Sequence, residues 1–171
     1  MRVFLDTNIL LDVLLNRPGL VADSEAVILR IEAVILRCEA AGHPMFIAWH
    51  GLATAYYLIK RGRTEAEAMV EVDKILSWAR VADATDARAR DARALGFGDF
   101  EDALQAVTAE ACAADCIVTR NTTDFAKSSI TVLTPEEFVQ RFPAACSVCA
   151  VTSEIDVYIQ SQNTNRMQLL Q

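Results

Sequence analysis

The sequence has no G-x-x-x-x-G-K-[ST], no G-x-G-x-x-G and no G-x-S-x-G. P-loop phosphate binding, dinucleotide binding and α/β-hydrolase chemistry therefore have no motif to stand on. Histidine is scarce. His43 falls in an expected turn and His50 at an expected helix start, and neither has a paired metal ligand in sequence. They are read as a surface turn residue and as a packing or capping residue. Positive charge is also short, with 16 Lys and Arg against 23 Asp and Glu and a net charge of −7. That argues against a broad basic surface for gripping nucleic acid, while leaving room for a local one. No uncharged apolar run approaches a bilayer span. The N-terminus lacks the basic flank and cleavage pattern of a secretory signal, so the expectation is a cytoplasmic protein with no membrane segment.

The five cysteines are odd in number, which favours reduced thiols over a disulfide framework. Cys146 and Cys149 form one isolated C-x-x-C, too few ligands for a zinc ribbon. Cys112 and Cys116, four apart, are expected on a helix as small buried thiols.

What is present is a globular composition, 53% hydrophobic and 23% charged over 171 residues, enough for one domain with a substantial core. "RVFLD" reads as a short buried strand, and "TNILLDVLL" turns to helical spacing with Thr7 placed to cap. "NRPG" breaks that helix. A second helix from Asp23 to Ala41 holds "EAVILRI" followed by "EAVILRC", a tandem heptad that keeps one apolar face in phase. "MFIA" is a strand and "WHGLATAYYLIK" a helix. "TEAEAMVEVDKILSWA" is a helix whose Thr64 and Glu67 form a capping box. "RVAD" is a weak strand, "TDARARDARALG" a solvated helix, and "DFEDALQAVTAEACAA" a helix with a strong apolar face. "CIVT" and "ITVL" are the last strands, and Thr134 caps the closing helix "TPEEFVQRF".

Strands alternating with helices predict an α/β/α sandwich around a mostly parallel sheet of about five strands. Residues 1–142 form this domain. Residues 143–171 break the rhythm and read as a C-terminal extension of unknown role.

In such sheets, sites gather beyond the carboxyl ends of the strands where the connectivity reverses. Asp6 ends the first strand, and Asn121 and Asp124 follow the fourth. The helix feeding the fourth strand begins at the same edge and carries Asp99 and Asp102 in its first turn. Clustered carboxylates without cysteine or histidine suit a hard cation, Mg²⁺ or Mn²⁺. Left without one they repel one another, which raises some of their pKa values. The chemistry favoured is phosphodiester hydrolysis.

"FLDTNILLD", "FEDALQA", "IVTRNTTDF" and "VLTPEEF", in this order and spacing, resemble the PIN-domain family of metal-dependent nucleases over roughly residues 2–142. The resemblance implies that Asp6 is the central metal ligand. Asn8 orients it or a bound water, Asp102 and Asp124 are further ligands, and Asp99 is an additional ligand or simply a helix cap. Asp12 is divided evenly between the site rim and a solvated face. Two positions depart from the family pattern. Thr54 stands where the helix after the second strand carries an acid, and Asn121 where many members have aspartate. Both are neutral, so metal affinity is expected to fall. The resemblance further implies an RNA substrate, a toxin-like role with an antitoxin partner as in VapC-type proteins, and pairing into a homodimer through apolar helices.

Arg17, Arg120 and Lys127 lie on loops at the acidic rim, with "KRGR" further off; phosphate contacts and ordinary solvation are equally good readings. Trp49, Tyr56 and Tyr57 are read as core residues. The leading expectation is a metal-dependent endoribonuclease, and the alternative is a catalytically weakened fold serving as a binding or assembly module. A phosphatase or receiver domain ranks last, because "DTN" lacks the second aspartate the former needs.

Overall fold

The computed structural model describes residues 1–15 and 23–143, with the side chains of residues 15 and 23–29 left aside. The "NRPG" break, Arg17, Cys146, Cys149 and the C-terminal extension lie outside the described residues.

The chain runs β1 (Val3–Leu5), α1 (Thr7–Leu15), α2 (Asp23–Ala40), β2 (Met45–Ala48), α3 (Trp49–Lys60), α4 (Glu65–Trp78), β3 (Ala79–Ala82), α5 (Asp86–Leu95), α6 (Phe100–Ala111), β4 (Cys116–Val118), β5 (Thr131–Leu133) and α7 (Pro135–Arg141). All four strand pairings are parallel, in the order β3-β2-β1-β4-β5. β1 is central: Leu5 lies opposite Ile47 on one side and Val118 on the other. The chain moves outward from β1 through β2 to β3, then crosses back to β4. The reversal therefore falls between β1 and β4, directly beyond Leu5.

Burial on both faces explains why these strands read as continuous apolar runs. Alternation divides them between two cores. Val3, Leu5, Met45, Ile47, Cys116 and Val118 pack with Ile9, Ile31, Ala55, Ile75 and Phe138, from α1, α2, α3, α4 and α7. Phe4, Phe46 and Ile117 point the other way, onto Ala106 and Ala109 of α6 and onto Phe125. Small alanines on α6 let that helix sit close to a sheet face of phenylalanines. Outside it, Ala92 of α5 packs on Ala103 and Val107.

Local signals set the helix ends. Thr64 and Glu67 form the expected capping box, and Thr134 with Glu137 forms another. Gly96 ends α5 in the left-handed conformation, which glycine adopts without steric penalty. Cys116 opens β4 instead of continuing a helix with Cys112, because the turn at Cys112 and Ala113 intervenes. Trp49 and Tyr57 are not core residues. They are 66% and 60% exposed on the outer face of α3, while Tyr56 packs against the core. The outer face of an amphipathic helix is one residue away from the inner one, which composition alone cannot distinguish.

Candidate active site

Asp6 leaves β1 with its backbone N–H donating to the Val118 carbonyl (3.0 Å), and its own carbonyl accepts the N–H of Ile9 (3.0 Å), the first bond of α1. Thr7 is therefore the first helical residue and not the cap. Its hydroxyl donates instead to Glu101 Oε1 (2.8 Å), and its N–H to Gln105 Oε1 (3.0 Å). Gly51 permits this crowding: a Cβ there would stand 2.7 Å from Thr7 Oγ1.

The Asp6 side chain is 3% exposed and bonded on both oxygens. Gln105 Nε2 donates to Oδ1 and Thr119 Oγ1 to Oδ2, each at 2.6 Å. Burial pushes the Asp6 carboxyl above its ordinary range, and these donors, with the N–H groups of Asn8 and Thr7, pull it part of the way back. Thr119, fully buried beyond β4, also accepts from Asn8 Nδ2 and from the Asn121 N–H, each at 3.0 Å. The Asn8 side chain thus orients Asp6 through Thr119 and not by direct contact. Its Oδ1 accepts the Arg120 N–H at 3.3 Å and ties α1 to the loop after β4.

Four further carboxylates face this edge. Glu101 is held by Thr7 and by Gln105 Nε2 (3.2 Å); burial, with the charges of Asp6 and Asp99, raises its pKa. Asp102 is pushed up to about 7, first by burial and then by Asp6, Glu101, Asp124 and Asp99. Asp124 accepts a short bond from Asn121 Nδ2, and Thr123 in turn donates to Asn121 Oδ1. Asp99 caps α6, accepting the Glu101 N–H at 2.7 Å. Asp99, Asp102, Thr123, Asp124 and Lys127 line a cleft of about 450 Å³.

Thr54 is exposed on α3, and no side-chain hydrogen bond ties it to this cluster among the described residues. The α3 residue that meets the cluster is His50, one turn earlier. Its Nε2 lies 3.7 Å from Glu101 Oε1, too long for a hydrogen bond. That nitrogen is buried with no hydrogen-bond partner among the described residues. Ala48, not His50, occupies the cap position of α3. Burial lowers the His50 pKa as it raises that of Glu101, so the contact tends toward a neutral pair. Asp12 is not a solvated charge: it is largely buried and pairs with Arg120 Nε, on the loop after β4, at 2.8 Å. Arg120 is thereby turned along α1. In "KRGR", Lys60 pairs with Glu65 and Arg63 with Glu71. His43 sits beside the N-terminal amine, 3.5 Å away.

Sequence reading passed over Glu101, Gln105 and Thr119. Gln105 follows Glu101 by one helical turn, a spacing that was legible. Nothing local marked Thr119, whose role depends on β4 lying beside β1.

Among the described residues, no three His, Cys, Asp or Glu side chains close around one point as they stand. The carboxylates nonetheless suit a hard cation: the donors are all oxygen, and Asp102 is raised by burial and by the charges of its neighbours.

A family model described as PIN domain matches residues 2–123. No curated protein matches the chain in sequence. Solved structures share the fold. VapBC2 from Rickettsia felis, bound to a DNA fragment from its promoter, superposes with a TM-score of 0.58 at 19% identity, covering 78% of this chain and 98% of that one. VapBC-1 from nontypeable Haemophilus influenzae gives 0.60 at 14%, covering 80% and 99%. FitAcB from Neisseria gonorrhoeae gives 0.55 at 16%, covering 78% and 98%.

Proposed function

Because the chain belongs to the PIN domain family, we propose that its acidic cleft hydrolyses RNA phosphodiester bonds with Mg²⁺ or Mn²⁺. The observation that carries this reading is the gathering of Asp99, Asp102 and Asp124 in one cleft beside Asp6 at the sheet's switch point, where burial first and then the neighbouring carboxylates raise Asp102 to about 7. A purely structural cluster has no reason to accumulate such repulsion, whereas perturbed acids in a cleft are a mark of function.

Asp6, Asp102 and Asp124 would hold the ion, with Asp99 and Glu101 at its edge. Bound there, the cation supplies charge neutralisation at the phosphoryl group and a more acidic attacking water. The chain's own contribution is position. Gln105 and Thr119 fix both Asp6 oxygens, Asn8 fixes Thr119, and Asn121 fixes Asp124. Such outer partners orient ligands, and as donors to carboxylates they favour the ionised form that a cation binds. Neutral Asn121 is thus used as a donor to Asp124, and neutral Thr54 makes no side-chain hydrogen bond to these ligands among the described residues.

The fold shared with VapBC complexes supports a toxin-like role with an antitoxin partner, and a homodimer is the assembly we propose. The test is cleavage of a mixed RNA pool in Mn²⁺ by the wild type and by Asp6→Asn, with an EDTA control. Cleavage abolished in both controls supports the nuclease. Intact RNA with a folded, Mn²⁺-loaded wild type refutes it in favour of a binding or assembly module.

A further inference from the structure

A second groove adjoins the acidic cleft. It lies between α5 and α6, measures about 380 Å³, and shares Phe97 and Gly98 with the cleft. Ala92, Ala103 and Phe97 form an apolar floor, while Arg93 and Phe100 stand at its sides. The size falls at the small end of ligand pockets, about 300–1,000 Å³.

Three features set this groove apart from ordinary packing. Phe100 is 51% exposed and belongs to none of the core clusters among the described residues, although its neighbours Phe97 and Leu104 do. It is an aromatic ring held open beside Asp99, Glu101 and Asp102. Second, α5 carries three arginines. Arg88 pairs with Asp91 and Arg90 with Asp86, but Arg93 makes no ion pair among the described residues. Third, Lys127 Nζ donates to the Gly96 carbonyl at the end of α5. That acceptor is neutral, so the ammonium keeps its charge, and Lys127 lines the cleft at the junction of the two hollows. In a chain of net charge −7, two cations without acidic partners flank an exposed ring at the mouth of the acidic site.

We infer that the α5–α6 groove is a nucleotide-binding subsite for single-stranded RNA. One base flanking the scissile bond stacks on Phe100, and Arg93 and Lys127 take the adjoining phosphates. Aromatic faces with neighbouring cations are how proteins hold unpaired strands without reading their sequence. Continuity with the cleft makes the occupant the same strand whose phosphodiester reaches Asp102. The inference rests on the hydrolase reading for the identity of that strand, but binding tests it separately from cleavage.

The experiment measures fluorescence anisotropy of a short labelled single-stranded RNA with a phosphorothioate backbone, in Mn²⁺. Its companions are the same strand carrying one abasic residue, moved position by position. Phe100→Ala should bind about tenfold more weakly, and Phe100→Trp should restore binding, since every base offers a face to stack. Arg93→Gln should weaken binding and flatten its salt dependence. One abasic position should weaken binding to the wild type and leave Phe100→Ala unchanged. Equal binding of all probes by wild type and Phe100→Ala overturns the subsite, whether or not the protein cleaves RNA. Phe100-dependent binding of this strand, with the unmodified RNA pool left uncleaved in the separate cleavage assay, keeps the subsite and removes the nuclease. No RNA binding by the wild type removes both. A change in solution mass on Phe100→Ala, with RNA affinity unchanged, makes the groove a protein contact and overturns the inference.

Discussion

Asp102 holds its proton more tightly in the folded chain than an ordinary aspartate does, because burial and four carboxylate neighbours oppose its ionisation. Between 3.8 and about 7 the folded state keeps a proton that the unfolded chain has released. The Asp102 contribution to stability therefore falls as pH rises through that window and levels off above it, while His43 and His50, whose pKa values burial lowers, contribute in the opposite sense. Asp6 and Glu101, shifted in the same direction as Asp102, add to its slope. Thermal melting in EDTA should show this fall. Asp102→Asn should flatten it and raise the melting temperature at neutral pH, while removing activity. Mn²⁺ should restore the wild type at the same pH. A melting temperature independent of pH across the window would refute this account of the cluster. Thr119 permits a second test at this scale. Thr119→Val removes the hydroxyl that donates to Asp6 and accepts from Asn8 and the Asn121 N–H. Activity should drop about 10- to 100-fold, as for other outer-shell partners. Unaltered kcat and metal affinity in the valine variant would show that Gln105 and the backbone N–H groups of Thr7 and Asn8 suffice.

At the scale of elements, the site depends on α1, α3 and α6 meeting at one sheet edge. Gly51 of α3 passes so close to Thr7 of α1 that no side chain fits between them. Gly51→Ala brings a methyl to 2.7 Å of the Thr7 hydroxyl, so Thr7 must turn away and release Glu101. Overpacking of this kind costs about 1–3 kcal/mol, measurable by urea unfolding, and RNA cleavage should fall with it. The double variant Gly51→Ala with Thr7→Ser should recover stability only in part, because the overlap is with the oxygen that serine retains. Full recovery would place the strain elsewhere. Element ends, by contrast, were legible in sequence. "TEAE" and "TPEE" each put an acceptor at the cap and a carboxylate three residues on, and both boxes form. Capping is local chemistry, so a local pattern finds it. The exposure of Trp49 and Tyr57 was not legible, since it depends on which side of α3 the sheet takes.

For the whole molecule, the position of the site follows from strand order. The sheet reverses between β1 and β4, and Asp6 and Thr119 are the first residues beyond those two strands. Gln105, from the opposite helical layer, closes the junction: it accepts from the Thr7 N–H and donates to Asp6 and Glu101 while fully buried. Gln105→Leu fills the space but leaves those groups short of their partner. Each unsatisfied buried group costs about 1–3 kcal/mol. Chemical denaturation should therefore show a large loss of stability together with loss of cleavage. A leucine variant as stable as the wild type would mean that the two sheet halves do not rely on this residue.

The sequence alone determined the alternation of strands and helices, the two capping boxes, the glycine stop of α5 and the gathering of Asp6, Asp102 and Asp124 at one edge. Those features rest on short-range periodicity, on backbone groups needing partners within a turn, and on the rule that parallel sheets carry sites beyond their carboxyl ends. Only the tertiary structure decided how Asp6 is held, since Gln105 is 99 residues away in the chain and Thr119 is 113. It also placed His50 instead of Thr54 against Glu101, paired Asp12 with Arg120, and left Phe100 open beside Arg93. Contacts of that separation are fixed by how whole layers pack, and no window of neighbouring residues contains them.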